Sequence, residues 1–190
     1  MGAITDLRSD LWGGLPTQEG GHMPLVFVTV GSQMPFDRLI QAVERWALHQ
    51  PEVKVVAQIG ASTLAPRAME WVRNLDPARF DALFRRADLI VSHAGMGTVI
   101  SAAERAKPLI VLPRRGSLKE TRNDHQVATA RWLTEKPGIR VVMDEADLAE
   151  ALNRWQEILP PQAIRGVACD DLIEHIRDFI SGEASERKPK

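Results

Sequence analysis

Short apolar runs alternate with amphipathic stretches along most of the chain. The runs at 25–30 (LVFVTV), 53–59 (VKVVAQI), 89–92 (LIVS), 109–112 (LIVL) and 139–143 (IRVVM) are rich in Val, Leu and Ile. Their near-continuous apolarity predicts strands covered on both faces, with a weaker strand at 68–72. Between them apolar residues recur at three- and four-residue spacing. The stretch 36–48 places Phe36, Leu39, Ile40, Val43 and Ala47 on one helical face. Further helices are predicted at 77–86, 97–105, 123–133, 147–158 and 170–180. Pro35 and Pro77 fit helix starts, and Pro108 stops the helix before it. Strands alternating with helices of this length imply right-handed βαβ units and a doubly wound parallel sheet, an α/β fold.

Composition narrows the function classes. The chain has 190 residues, enough for one domain with a well-buried core, and 44% apolar against 26% charged residues is a globular balance. Lys plus Arg number 24 and Asp plus Glu 25, a net charge of −1, so no basic excess points to nucleic acid. The single Cys169 excludes a disulfide framework and fits a reducing, cytoplasmic compartment. No apolar run approaches the roughly 18 residues of a membrane span. Residues 1–22 lack the apolar core of a secretory signal and read as a flexible tail or an expression remnant, with Met23 a candidate native start. The folded unit is expected over 23–181, with 182–190 frayed.

In open α/β sheets, ligands sit beyond the carboxyl ends of the strands, so the loops after strands carry the candidate chemistry. The loop Gly31-Ser32-Gln33-Met34-Pro35 follows the first strand, and its glycine and following helix N-terminus suit an anion; taken alone it reads first as a capped tight turn. The segment Ser92-His93-Ala94-Gly95-Met96-Gly97-Thr98 puts two glycines and a hydroxyl between a buried strand and a helix, a setting for a diphosphate. Ile100 stands where a G-x-G-x-x-G fingerprint needs its third glycine, which disfavours a nicotinamide dinucleotide site. The loop 113–126 (PRRGSLKETRNDHQ) gathers Arg114, Arg115, Lys119 and Arg122, and ends in Asn123, Asp124 and Gln126. Asn123 or Asp124 suits a helix N-cap, and the Gln126 amide suits sugar hydroxyls as donor and acceptor. Trp46, Trp71, Trp132 and Trp155 read as core or partner surface, and Asp144, Glu145 and Asp147 as a helix N-terminus. No spacing suggests a metal site, and none suggests a nucleophilic triad.

Taken together, ADLIVSHAGMGT (87–98), KPLIV (107–111) and NDHQ (123–126) resemble the donor-binding half of the GT-B glycosyltransferases of family 28, related to MurG-like enzymes. The likeness covers about residues 23–179. It is greatest to single-domain soluble subunits of two-subunit UDP-GlcNAc and exopolysaccharide transferases. The resemblance implies a Rossmann-like domain, one half of a GT-B enzyme. It implies diphosphate contacts at Gly31, Ser32, Gln33, His93, Gly95, Met96, Gly97 and Thr98, and donor-sugar contacts at Asn123, Asp124 and Gln126. Related chains carry an acidic ribose-binding residue where this one has Ser101, with Glu104 one turn away as the substitute. Val127 replaces a second Gln of the MurG-like enzymes, leaving the sugar open between GlcNAc and glucuronate.

The resemblance further implies an inverting UDP-sugar transferase subunit with no cofactor, no metal and no catalytic base of its own. A membrane-associated partner subunit would supply the base and bind a lipid-linked acceptor. Arg114 or Arg115 would help neutralise the departing UDP, and the isolated chain would tend to self-associate. The rival reading is a non-catalytic nucleotide-sugar-binding or regulatory protein on the same fold.

Overall fold

A computed structural model describes residues 22–160. The expectations for the tails, for a helix at 170–180 and for Cys169 lie outside the described residues. The elements run β1 (Leu25–Thr29), α1 (Asp37–Ala47), β2 (Lys54–Gln58), β3 (Glu70–Val72), α2 (Pro77–Arg86), β4 (Leu89–His93), α3 (Met96–Glu104), β5 (Leu109–Leu112), α4 (His125–Leu133), β6 (Ile139–Val141) and α5 (Leu148–Asn153). The six strands form one parallel sheet in the order β3-β2-β1-β4-β5-β6, the doubly wound arrangement expected. The order reverses between β1 and β4, where Thr29 pairs with Ser92, so the crevice beyond these two strand ends is where the topology leaves room for a ligand.

Burial on both faces explains the continuous apolar runs. In β1, Val26 and Val28 point into a cluster with α1 and α5, whereas Leu25 and Phe27 point into one with α2, α3 and α4. Alternation survives in direction but not in polarity, because neither face meets water. All five residues of the predicted α1 face are buried. On the other side the Phe27 ring meets Phe80 edge-on at 5.4 Å and Phe84 at 6.3 Å, which seats α2 on the sheet. Pro77 takes the first helical position of α2, and Asp76 caps it by accepting from the Arg79 amide at 2.9 Å.

Two predicted helices come out shorter. The stretch 147–158 is helical only to Asn153; Arg154 leaves the helical region (φ −111°, ψ 20°), and a single 3-10 turn follows at Trp155–Glu157. The Pro160-Pro161 pair disfavours helix at Leu159, and the break folds Ile158 into the core. Helix α4 starts at His125 rather than 123. Asp124 stands at the N-cap position, but its carboxylate accepts from the Gly116 amide at 2.8 Å instead of capping.

Phe27→Ala is expected to cost about 3–5 kcal/mol, because it empties the contact of β1 with α2. Leu48→Ala, at a residue 64% exposed, is expected to change stability by less than about 0.5 kcal/mol. Urea unfolding of the two variants side by side checks both.

Candidate functional site

A cavity of about 450 Å³ opens beyond β1 and β4, lined on one side by Gly31–Met34 and on the other by His93, Gly95, Gly97 and Thr98. Arg114 and Glu120 of the loop after β5, and Gln126 in the first turn of α4, close it. Residues from widely separated segments thus meet at the switch point.

The two glycine loops are fitted around one imidazole. Gly31 adopts φ +75°, a region that disfavours side chains, and a Cβ there would sit 2.7 Å from Cε1 of His93. A Cβ on Gly95 would overlap Nε2 of the same ring. His93 is therefore a wedge between two backbones, and its Nδ1 is buried without a hydrogen-bond partner. Burial, reinforced by the charge of Arg114, pushes its pKa down to about 4, against a smaller upward pull from the Thr29 backbone. The ring is neutral at pH 7, so it adds no full charge to the site.

Beneath Gly31 lies a polar network. Thr29 Oγ1 donates to Gln58 Oε1 at 2.7 Å, and Gln58 Nε2 donates to the carbonyls of Gly31 at 3.1 Å and Arg73 at 3.2 Å. A buried glutamine with both ends paired fixes where the loop leaves β1. On the other side, α3 begins at Met96, so the amides of Met96 and Gly97 have no intrahelical acceptor and stand at the positive end of the helix. A Cβ built on Gly97 meets nothing within 4 Å; this glycine is not required by packing, and its face is open.

Arg114 is the residue whose part the sequence hides. It stands among four cations on a polar loop, yet it is 3% exposed. Its guanidinium donates to the carbonyls of Val30 (2.7 Å), Met34 (2.7 Å), Pro35 (2.6 Å) and Glu120 (3.0 Å), and lies 4.6 Å from the Phe36 ring centre. Burial lowers its pKa to about 10, so it keeps its charge at neutral pH. Arg115 turns away to the Met143 carbonyl and Asp144 and does not line the cavity, which corrects the expectation that it faces a diphosphate. Arg38 pairs with Glu120 and Glu145, each at 2.8 Å, and anchors the loop from below.

The remaining expected residues divide. Ser32, Gln33, Thr98, Ser101 and Gln126 line the cavity. Gln126 Oε1 accepts from the Arg114 amide at 3.2 Å, which aims its amide group. The Met96 side chain packs against the core and does not line the cavity. Asn123 and Asp124 are exposed and bond the backbone of their own loop, shaping it rather than lining the cavity. Glu104 is exposed at the far end of α3, outside the cavity, and bonds Arg105. Its place one turn beyond Ser101 carries it past the mouth. Phe80 and Glu120 line the cavity although nothing in their local sequence marked them. Among the described residues no cluster of His, Cys, Asp and Glu suits a metal ion.

Comparison with known proteins agrees with this architecture. The profile of the glycosyltransferase family 28 C-terminal domain matches residues 25–156. The chain is 35% identical over 121 residues to the human UDP-N-acetylglucosamine transferase subunit ALG13, covering 58% of this chain and 10% of that protein. It is 27% identical over 197 residues to a Prochlorococcus marinus UDP-N-acetylglucosamine–N-acetylmuramyl-(pentapeptide) pyrophosphoryl-undecaprenol N-acetylglucosamine transferase, covering 96% of this chain and 52% of that one. The solution structure of an ALG13 superposes with a TM-score of 0.57 at 18% identity, over 80% of this chain and 94% of that one, which shows a shared fold. The chain spans about half or less of the length of these curated relatives.

Replacing Arg114 by Met removes the donor from four carbonyls and is expected to cost about 3–5 kcal/mol in urea unfolding. For His93 the folded pKa lies below the unfolded value of 6.5, so the unfolded chain binds more protons between pH 6.5 and about 4. Its contribution is present above pH 6.5 and is lost as pH falls to about 4, amounting to up to about 3 kcal/mol. Urea midpoints of wild type and His93→Asn at pH 7 and pH 4.5 are expected to show a smaller pH loss in the variant.

Proposed function

We propose a function that starts from one fact: the chain belongs to the glycosyltransferase family 28 C-terminal domain family. In this reading the domain binds a UDP-sugar and acts as the donor half of an inverting glycosyltransferase. The observation that carries it is the cavity at the switch point, where two glycine loops and a helix N-terminus meet Gln126. The amides of Met96 and Gly97 and the dipole of α3 take the diphosphate, with Ser32 and Thr98 hydroxyls beside them. Gln126, at the cavity's edge, takes the donor sugar; its amide donates while its oxygen stays on Arg114.

Charge that develops on the departing UDP is stabilised by groups already in place. They are the open amides of α3 and the fixed positive charge of Arg114 behind the Gly31 loop. Arg114 acts through the field and through the loop, since its donors are committed to carbonyls. The neutral His93 spaces the two loops and leaves the site free of a titrating charge at pH 7. The base and the acceptor site are assigned to a second subunit, membrane-associated and holding a polyprenyl-diphosphate-linked saccharide. Support comes from the relatives whose names describe a transferase subunit and an undecaprenol-linked substrate. No helix among the described residues is long and apolar enough to cross a membrane, so attachment is assigned to that partner. The donor is UDP-GlcNAc or UDP-glucuronate, and no cofactor is assigned.

Calorimetric titration of the chain with UDP, UDP-GlcNAc, UDP-glucuronate and NAD tests the reading. UDP ligands are expected to bind with NAD silent; NAD binding with UDP silent overturns it. Gly97→Leu is expected to keep the melting temperature, since its Cβ enters open space, while weakening UDP at least tenfold. Gln126→Ala, assayed with the partner, is expected to slow sugar transfer more than it weakens UDP.

A further inference from the structure

A second hollow, of about 440 Å³, opens beside the cavity. Gly31 and Ser32 line both, whereas Thr29 and Gln58 line only the second, with Phe84 and Arg105. The peptide that joins Gly31 to Ser32 therefore borders two spaces, and its direction has a chemical consequence. A trans peptide is planar, with its C=O and N–H pointing opposite ways. Gly31 stands at φ +75° and has no side chain to hinder rotation, so by itself it could turn the next peptide over at little cost. Turned one way, the peptide offers the cavity a hydrogen-bond donor. Turned the other way, it offers a carbonyl oxygen, which repels a diphosphate.

Two buried side chains fix that direction. Thr29 Oγ1 accepts from the Gly31 N–H at 3.3 Å, and Gln58 Nε2 donates to the Gly31 carbonyl at 3.1 Å. The other Nε2 proton goes to the Arg73 carbonyl at 3.2 Å, and Gln58 Oε1 accepts from the Thr29 hydroxyl at 2.7 Å. Two carbonyls at one end of the glutamine require its NH2 group there, so the amide stands only one way round. Gly60, at φ +56°, keeps the space clear: a Cβ on it would lie 3.4 Å from the Gly31 oxygen. With that oxygen turned to Gln58, the Ser32 N–H points away from Gln58. Among the described residues nothing accepts from it.

We propose that Gln58 and Thr29 are positioning residues, which hold the Gly31–Ser32 peptide with its N–H toward the cavity as a fixed donor to the diphosphate. The inference rests on the UDP-binding reading above. Neither side chain lines the cavity itself, and both act through the peptide they hold. A peptide held this way needs no reorientation when the anion binds, so affinity is not lost to ordering the loop.

The test is titration of the isotope-labelled full chain with UDP and with uridine, followed by NMR. In wild type the Ser32 amide proton is expected to move downfield with UDP and not with uridine, as a hydrogen bond to phosphate forms. Gln58→Met is expected to weaken UDP roughly tenfold, the loss of one charge-assisted hydrogen bond, to leave uridine unchanged and to abolish the Ser32 shift. Thr29→Val keeps the shape of the side chain and the Gln58 bond to Gly31, but unbraces both; a UDP-specific loss of roughly threefold is expected, with a smaller Ser32 shift. Thr29→Ser restores the hydroxyl and is expected to match wild type. A merely structural pair would weaken UDP and uridine alike and leave the Ser32 shift. That pattern in Gln58→Met, or in Thr29→Val should Gln58→Met fail to fold, overturns the proposal while UDP binding stands, as does a Thr29→Ser chain no better than Thr29→Val. A wild-type chain indifferent to UDP overturns the parent reading, and this one with it.

Discussion

A single buried guanidinium organises this domain. Arg114 leaves the end of β5, crosses beneath the loop after β1, and gathers carbonyls from Val30, Met34, Pro35 and Glu120. Burying a charge costs several kcal/mol unless its donors are satisfied, and the planar fork of arginine meets that demand where a lysine could not. The consequence is geometric. The loop after β1 and the loop after β5 are tied to each other by a guanidinium that lies over Phe36. Arg38 repeats the device from below through Glu120, Glu145 and the Pro113 carbonyl.

With the loops held, the site needs little else. The glycines let two backbones close on the His93 ring, and the ring separates them by its own thickness. Its neutrality follows from that confinement: burial disfavours an imidazolium, and Arg114 opposes one. Positive potential at the cavity therefore comes from groups that do not titrate near neutral pH, namely helix amides and a guanidinium. Such groups are oriented before an anion arrives.

The helix pair α2–α3 is held together in the same style. Arg105 reaches from the end of α3 to Asp81 and to the Ser101 carbonyl, and lies 5.7 Å from the Phe84 ring centre. Phe84 and Phe80 in turn rest on Phe27 in the central strand. The wall of the second hollow is thus continuous with the core. Polar groups at its rim inherit the rigidity of the sheet, though they are themselves half-exposed.

The sequence by itself determined the strands, most helices, the sheet type and the loops that frame the cavity. These depend on local signals: apolar runs covered on both faces, proline and glycine at element ends, and a capping Asp76 before Pro77. The KPLIV strand and the glycine loop before it were legible for the same reason. Tertiary structure alone decided which way polar side chains turn. A run such as Arg114-Arg115 reads as one basic patch, yet neighbouring residues on extended backbone point to opposite sides, one into the loop cluster and one to Asp144. Glu104 looked well placed because one helical turn is a short step along the chain, but that turn carries it past the cavity. Asp81 and Arg105 are 24 positions apart and meet only because α2 and α3 pack side by side on one face of the sheet. Hydrophobic periodicity reports which face of an element is buried; it carries no information on which polar groups from different elements converge.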